Sequence, residues 1–243
     1  MCFHTSQTKK VVELESRYNA LLTKDDAREV YDIPRYHING FSHPDMLIIP
    51  QERATALAPA LWGIVPENKK PEQLRDYYKE AVRYGGGLNA QSEKLFNHFI
   101  YKHSALNRRC IIPVTGFFEP HEYKGKKYPF HIKHKHNDVL SLAGLYTIIG
   151  GVVTFTILTK AASPLFATIH NKKNRQPVLL HKDFEEDWLR GDLKENGINE
   201  LINLNYSEDE LSAYTISRDL FDPKVNSDIE SIIDEIKYDG IVI

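Results

Sequence analysis

The sequence predicts an α+β fold: a central, mostly antiparallel, barrel-like β-sheet core flanked by helices. Three observations lead there. Short β-branched and aromatic segments cluster in the middle of the chain. Segments with helical spacing lie towards both ends. A long uncharged stretch, residues 139 to 159, breaks near its middle at Gly150-Gly151. Grouped strands with helices outside them argue against an alternating βαβ arrangement.

Taken in order, residues 11 to 22 and 71 to 82 carry apolar residues at helical spacing, the second with Pro71 in a first-turn position. Residues 92 to 103 read as a third helix, opened by Ser92 after the loop Gly85-Gly86-Gly87. Strands follow at 110 to 118, 128 to 135, 139 to 147 and 152 to 159, punctuated by Gly, Pro, Asn and Asp. The uncharged stretch is close to membrane-spanning length, but its Gly-Gly pair, β-branched residues and four hydroxyl side chains (Ser141, Thr147, Thr154, Thr156) fit two buried strands joined by a turn. Helical pattern returns at 183 to 190 and 226 to 237, with Asp183 and Ser227 as capping residues.

The chain has 243 residues, 42% hydrophobic and 26% charged, which excludes a disordered protein and leaves ample material for a core. Two cysteines, Cys2 and Cys110, build no disulfide framework, so a reducing, cytoplasmic setting is expected. Met1-Cys2-Phe3-His4 leads straight into polar sequence, so no signal peptide is expected. Residues 182–243 hold 17 acidic against 6 basic residues, leaving residues 1–181 with a net charge of +9. The expectation is one domain over 1–243, with a basic body to about 181 suited to nucleic acid and an acidic C-terminal part.

Cys2 carries the most specific chemistry. Once Met1 is removed, amine and thiol sit on adjacent carbons. An α-amine has a reference pKa near 7.7–8.0, so far more of it is neutral and nucleophilic at pH 7 than of a lysine. Such an amine condenses with an aldehyde to an imine, which the thiol closes to a five-membered thiazolidine. Glu119 follows the apolar run Gly116-Phe117-Phe118 and reads either as a proton-transfer group or as a strand-end surface charge. His170, next to Asn171, Lys172 and Lys173, reads either as a titrating catalytic group or as a loop residue contacting phosphate. Cys110, in an apolar run, reads as a buried structural thiol. His131, His134 and His136 match no standard metal-site spacing, and neither metal nor cofactor is expected.

Blocks spread over nearly the whole chain then match one family in order. They include Met1-Cys2, Arg35-Tyr36, Leu61 to Pro66, Leu88-Asn89-Ala90 with Ser92-Glu93, and Arg108 to Pro113 running into Gly116 to Glu119. Tyr128 to Phe130, Leu142 to Leu145, Phe155 to Thr159, Ile169-His170-Asn171, Arg175 to Leu180 and Val225-Asn226 complete the series. The chain thus resembles the SRAP family of abasic-site-processing, SOS-response-associated proteins. The resemblance implies a DNA-damage role in which Cys2 crosslinks to the aldehyde of an abasic site in single-stranded DNA. Glu119 and His170 are then its other catalytic residues. Weak lyase activity and an (auto)peptidase activity are implied as well.

His4, Trp62, Asn89, Gln91, Arg108, Arg109, Lys172 and Arg175 are the DNA contacts this reading expects, with Lys160 among further candidates for phosphates. The partner is single-stranded DNA, without a membrane, and the protein is expected to be a monomer. Phe3-His4 stands where members commonly have Gly-Arg, Gln91 where an arginine is usual, and Pro120 where an aromatic often follows the glutamate. Fewer cations predict weaker, less salt-sensitive binding, which a protonated His4 would partly restore. Two alternatives stay open from the residues: a thiol-dependent peptidase or amidohydrolase built on Cys2, and a DNA-binding protein without catalysis.

Overall fold

The computed structural model describes residues 2–241. In chain order it contains β1 (His4–Gln7), α1 (Val11–Tyr18), β2 (Leu21–Leu22), α2 (Arg28–Tyr31), β3 (Arg35–Asn39), β4 (Asp45–Pro50), β5 (Ala56–Trp62), α3 (Leu74–Ala81), β6 (Asn89–Gln91) and α4 (Tyr101–Asn107). It continues with β7 (Arg109–Val114), β8 (Gly116–Tyr123), β9 (Lys126–His134), β10 (Leu140–Ile149), β11 (Val152–Ala161), α5 (Pro164–Ile169), β12 (Arg175–Pro177), β13 (Leu179–Leu180), α6 (Glu185–Leu189), α7 (Glu195–Asn203) and β14 (Leu211–Thr215).

Two sheets result. The larger runs β12-β11-β10-β7-β4-β5-β2, and a further parallel pairing of β11 with β5 closes its five middle strands into a ring. All other pairings in that ring are antiparallel, as the fold class expected. Closure removes the sheet edge that five such apolar strands would otherwise expose. The second sheet has the order β14-β9-β8-β1-β3. The uncharged stretch is the β10–β11 hairpin, turned by Gly150 (φ 53°) and Gly151 (φ 87°), the paired positive φ values that a tight two-residue hairpin turn requires. No helix among the described residues is long and apolar enough to cross a membrane.

Several boundaries move. The helix at 11 to 22 stops at Tyr18 because Asn19 adopts the left-handed conformation (φ 49°), and Leu21–Leu22 joins β5 as a strand. The stretch at 92 to 103 divides into a 3-10 turn (Ser92–Asn97) and α4. Residues 226 to 237 are not a helix. They form an extended strap with one 3-10 turn at Glu230–Ile233. Its polar side chains are spent on β3: Asp228 accepts the Tyr36 and His37 amides at 2.8 and 3.1 Å and the Arg35 guanidinium at 2.6 Å. Ser227, expected as a helix cap, instead meets His37 Nδ1 at 2.6 Å.

The second sheet positions the site. β1 is sandwiched between β3 and β8, so Cys2 is drawn into the core beside Ile38, Trp62, Leu88 and Phe117. On β8, side chains alternate. Phe117 joins that core, whereas Phe118 packs outward with Ile216, Leu220 and Ile232 of the C-terminal segment. Glu119 follows the parity of Phe117.

Candidate active site

Three fully or nearly buried polar side chains meet where β1, β8 and α5 converge. Cys2 and Glu119 are 0% exposed and His170 is 3% exposed. α5 starts with Pro164 at its first turn, where a missing N–H costs nothing, and docks on β8 through Phe166 stacked on Phe117, ring centroids 5.9 Å apart. His170 closes that helix, its amide donating to the Phe166 carbonyl at 2.8 Å. Its ring reaches Glu119, Nδ1 to Oε2, at 3.2 Å.

The loop after α5 is pinned to β8 by residues the sequence reading did not single out. The Asn171 amide accepts the Glu122 N–H at 3.0 Å and donates to the Glu122 carbonyl at 2.9 Å, imitating a strand partner. His121 Nδ1 reaches the Thr168 and Ile169 carbonyls at 3.1 and 3.2 Å. Asn171 beside His170 is the sequence signal for this clamp, because an Asn amide presents the donor and acceptor of a peptide group.

Burial sets the electrostatics. The Glu119 carboxyl is raised to about 7 by desolvation. The Cys2 thiol is pushed well above its ordinary value, first by burial and second by Glu119, and donates to the His4 carbonyl at 3.8 Å. A neutral thiol at rest therefore needs a base before it can attack. His170 differs from the sequence expectation of a histidine titrating near neutrality: burial lowers it to about 4, leaving it neutral at pH 7. Its Nδ1 lies 3.0 Å from the Arg175 carbonyl, which can only accept. The proton is therefore on Nδ1, and Nε2 is the acceptor nitrogen.

Five of the eight expected DNA contacts fall into three groups. Lys172 is exposed, 2.7 Å from Glu122, beside the cleft described below. Asn89 and Gln91 lie half-buried on β6, alongside β11, and both amide atoms of Asn89 are buried without a hydrogen-bond partner among the described residues. Leu88, next to Asn89, packs in the core that holds Cys2. Arg108 and Arg175 are committed to carboxylates: Arg108 to Glu67 and Glu52, Arg175 in a two-pronged pair with Glu93 at 2.6 and 3.0 Å plus the Thr159 carbonyl at 2.7 Å.

Four expectations need correction. Trp62 is 0% exposed, its indole N–H bound to the Leu88 carbonyl at 2.9 Å, so it is a core residue and no stacking surface. Arg109 is also 0% exposed, its guanidinium bonded to the carbonyls of Ala105, Leu106, Trp188 and Arg190. Lys160 is 9% exposed and donates to the Ile202 and Leu204 carbonyls. His4 adds no positive charge: burial lowers it to about 3, and its Nδ1 hydrogen-bonds His37 Nε2 at 2.9 Å. In each case a polar end met a neighbouring protein group, which sequence spacing does not report.

An open cleft of ≈ 470 Å³ reaches His170 from the surface. Phe3, Phe41, Phe118 and Phe221 line it together with Lys127, Lys172 and Lys173. Removal of Met1 concerns a residue outside those described.

Residues 1–223 match the family model described as SOS response associated peptidase (SRAP). The chain is similar to the abasic site processing protein YoaM of Bacillus subtilis, 28% identical over 226 residues, covering 87% of this chain and 94% of that one. The abasic site processing protein YoqW of the same organism is likewise 28% identical over 226 residues, covering 87% and 96%. A crystal structure of a protein from Bacteroides thetaiotaomicron superposes with a TM-score of 0.82 at 26% identity, covering 97% of this chain and all of that one.

Proposed function

On the premise that this chain belongs to the SRAP family, we propose that it processes abasic sites in single-stranded DNA by capturing them covalently on Cys2 once Met1 is removed. The observation that carries the reading is the buried meeting of the Cys2 thiol, the Glu119 carboxyl and the His170 imidazole beside an open cleft edged with lysines.

The abasic sugar is mostly a closed hemiacetal. His170 Nε2 takes the proton from its C1′ hydroxyl as the ring C1′–O4′ bond breaks and returns that proton to O4′, which exposes the aldehyde and leaves the imidazole neutral again. The Cys2 amine attacks C1′ to give a carbinolamine. Glu119, whose carboxyl burial raises to about 7, donates to the departing hydroxyl, and water leaves as the C=N bond forms. The resulting carboxylate then takes the Cys2 thiol proton, and Sγ attacks C1′ while the imine electrons return to nitrogen. The sum is aldehyde plus aminothiol to thiazolidine plus one water. A carboxyl near pH 7 suits both proton steps, since neither of its forms is rare there.

The unsatisfied Asn89 amide supports the same reading, because a buried amide without partners loses free energy that a sugar or phosphate oxygen would restore. The test is incubation of processed protein with an abasic single-stranded oligonucleotide, followed by denaturing electrophoresis. A heat-stable shifted band that disappears in Cys2→Ala supports the proposal. A band unchanged in that variant contradicts it.

A further inference from the structure

The cleft beside His170 is larger and more aromatic than a base-less sugar needs. Phe3 and Phe41, both in its lining, form a tilted aromatic pair, ring centroids 4.9 Å apart and planes inclined by 37°. The fold holds this pair in place. Gly40 N–H donates to the Phe3 carbonyl at 2.9 Å, and the Asn39 side chain accepts the Phe41 amide at 3.0 Å, fixing the 3-10 turn that presents the ring. Gly40 itself permits the approach: a Cβ there would stand 3.1 Å from the Phe3 carbonyl oxygen and 3.2 Å from both Leu88 and Trp62. Phe41 is nonetheless 45% exposed, a large apolar residue left open to solvent.

Deeper in, Phe118 forms a buried wall, and Phe221 packs against the His4 ring at 5.5 Å. The same lining includes the exposed Lys127, Lys172 and Lys173, with Glu122 its acidic residue and already paired with Lys172. A slot lined by aromatic rings and by a cationic excess is complementary to a nucleotide, which offers a π-face to stack and a phosphate to neutralise. The abasic residue has no base to offer, so the occupant must be a neighbour in the strand.

We propose that the Phe3–Phe41 pair is a stacking platform for the base of a nucleotide flanking the lesion, making the protein sensitive to the identity of that base, with purines favoured for their larger stacking area. The proposal rests on the reading that this chain binds single-stranded abasic DNA. It adds a specificity-determining role for two residues outside the proton-transfer machinery.

The experiment separates the two readings by measuring affinity as well as capture. Fluorescence anisotropy uses single strands in which an unreactive tetrahydrofuran replaces the abasic sugar and each flanking nucleotide in turn is adenosine, thymidine or a second tetrahydrofuran. Crosslinking rates are read with the reactive counterparts. On one side of the lesion, adenosine should bind about tenfold or more tightly than the base-less flank, with thymidine between, given the usual worth of base–aromatic stacking. In Phe41→Ala, with its thermal midpoint checked against the parent, that ratio should fall towards one. A parent ratio near one on both sides overturns the platform, as does a ratio that survives Phe41→Ala. Because this readout needs no covalent step, a protein that shows the base dependence yet forms no crosslink upholds the platform and refutes the capture chemistry. Loss of all single-strand affinity would refute both.

Discussion

His170 Nδ1 lies 3.2 Å from Glu119 Oε2, and both side chains are almost wholly shielded from water. Burial drives the two in opposite directions, the carboxyl up to about 7 and the imidazole down to about 4. At pH 7 the pair is therefore a neutral imidazole beside a carboxyl that exchanges its proton readily, rather than a fixed ion pair.

Glu119→Gln keeps the shape and removes the exchangeable proton. Crosslinking should slow by about a hundred- to ten-thousandfold, the usual worth of a positioned acid–base group. The parent pH–rate profile should contain a limb with an apparent pKa near 7, from Glu119, and that limb should be missing in the variant. Single-turnover rates between pH 5 and 9 check this.

Trp62→Ala and Arg109→Met should act on stability. Trp62 is enclosed by the core, so truncation should cost about 3–5 kcal/mol. Removing the Arg109 guanidinium strands four carbonyl groups that it now serves. Denaturant titration should show the loss. Single-strand affinity, measured where each variant remains folded, should match the parent.

These two residues also mark the limit of what the sequence discloses. The β10–β11 hairpin was legible because its Gly-Gly turn interrupts two apolar runs, a local signal. The proposal for Cys2 could be framed from sequence because an N-terminal aminothiol needs no fold to define its chemistry, and Glu119 and His170 came with the family resemblance. Their proximity was not local: β8 and α5 are brought together by Phe117 and Phe166, far apart in sequence. Trp62, Arg109 and His4 read as surface contacts because type and spacing carry no record of burial. The strap at 226 to 237 read as a helix because its apolar residues have helical spacing, while the partner that overrides it, the β3 backbone under Asp228, lies nearly two hundred residues earlier.

His37, buried between His4 and Ser227, gives a stability test. Its pKa is lowered to about 4, first by burial, from an ordinary 6.5. Below 6.5 the unfolded chain binds a proton that the folded ring refuses until about 4, so stability is complete above 6.5 and lost as pH falls through that window. The full shift corresponds to about 3 kcal/mol. His170 acts in the same direction, while Glu119, raised to about 7, contributes stability that grows as pH falls from 7 to 4.5. Chemical denaturation at pH 7 and at about pH 4.5 should show a smaller acid-induced loss in His37→Asn than in the parent.

Cys2→Ser retains the amine and replaces the thiol with a weaker nucleophile. The imine should then persist long enough for β-elimination, leaving the variant a slow abasic-site lyase. Strand cleavage above the buffer rate checks this, and equality with buffer counts against imine formation.

The most direct test of the capture chemistry is the intact mass of the protein after incubation with a short single strand bearing one abasic site. With Met1 removed, the adduct should weigh the sum of protein and oligonucleotide less one water and should survive heating. It should be absent from Cys2→Ala and from protein that retains Met1. Fully processed protein that yields no such mass would contradict the account and favour a hydrolase or a binding protein on the same fold.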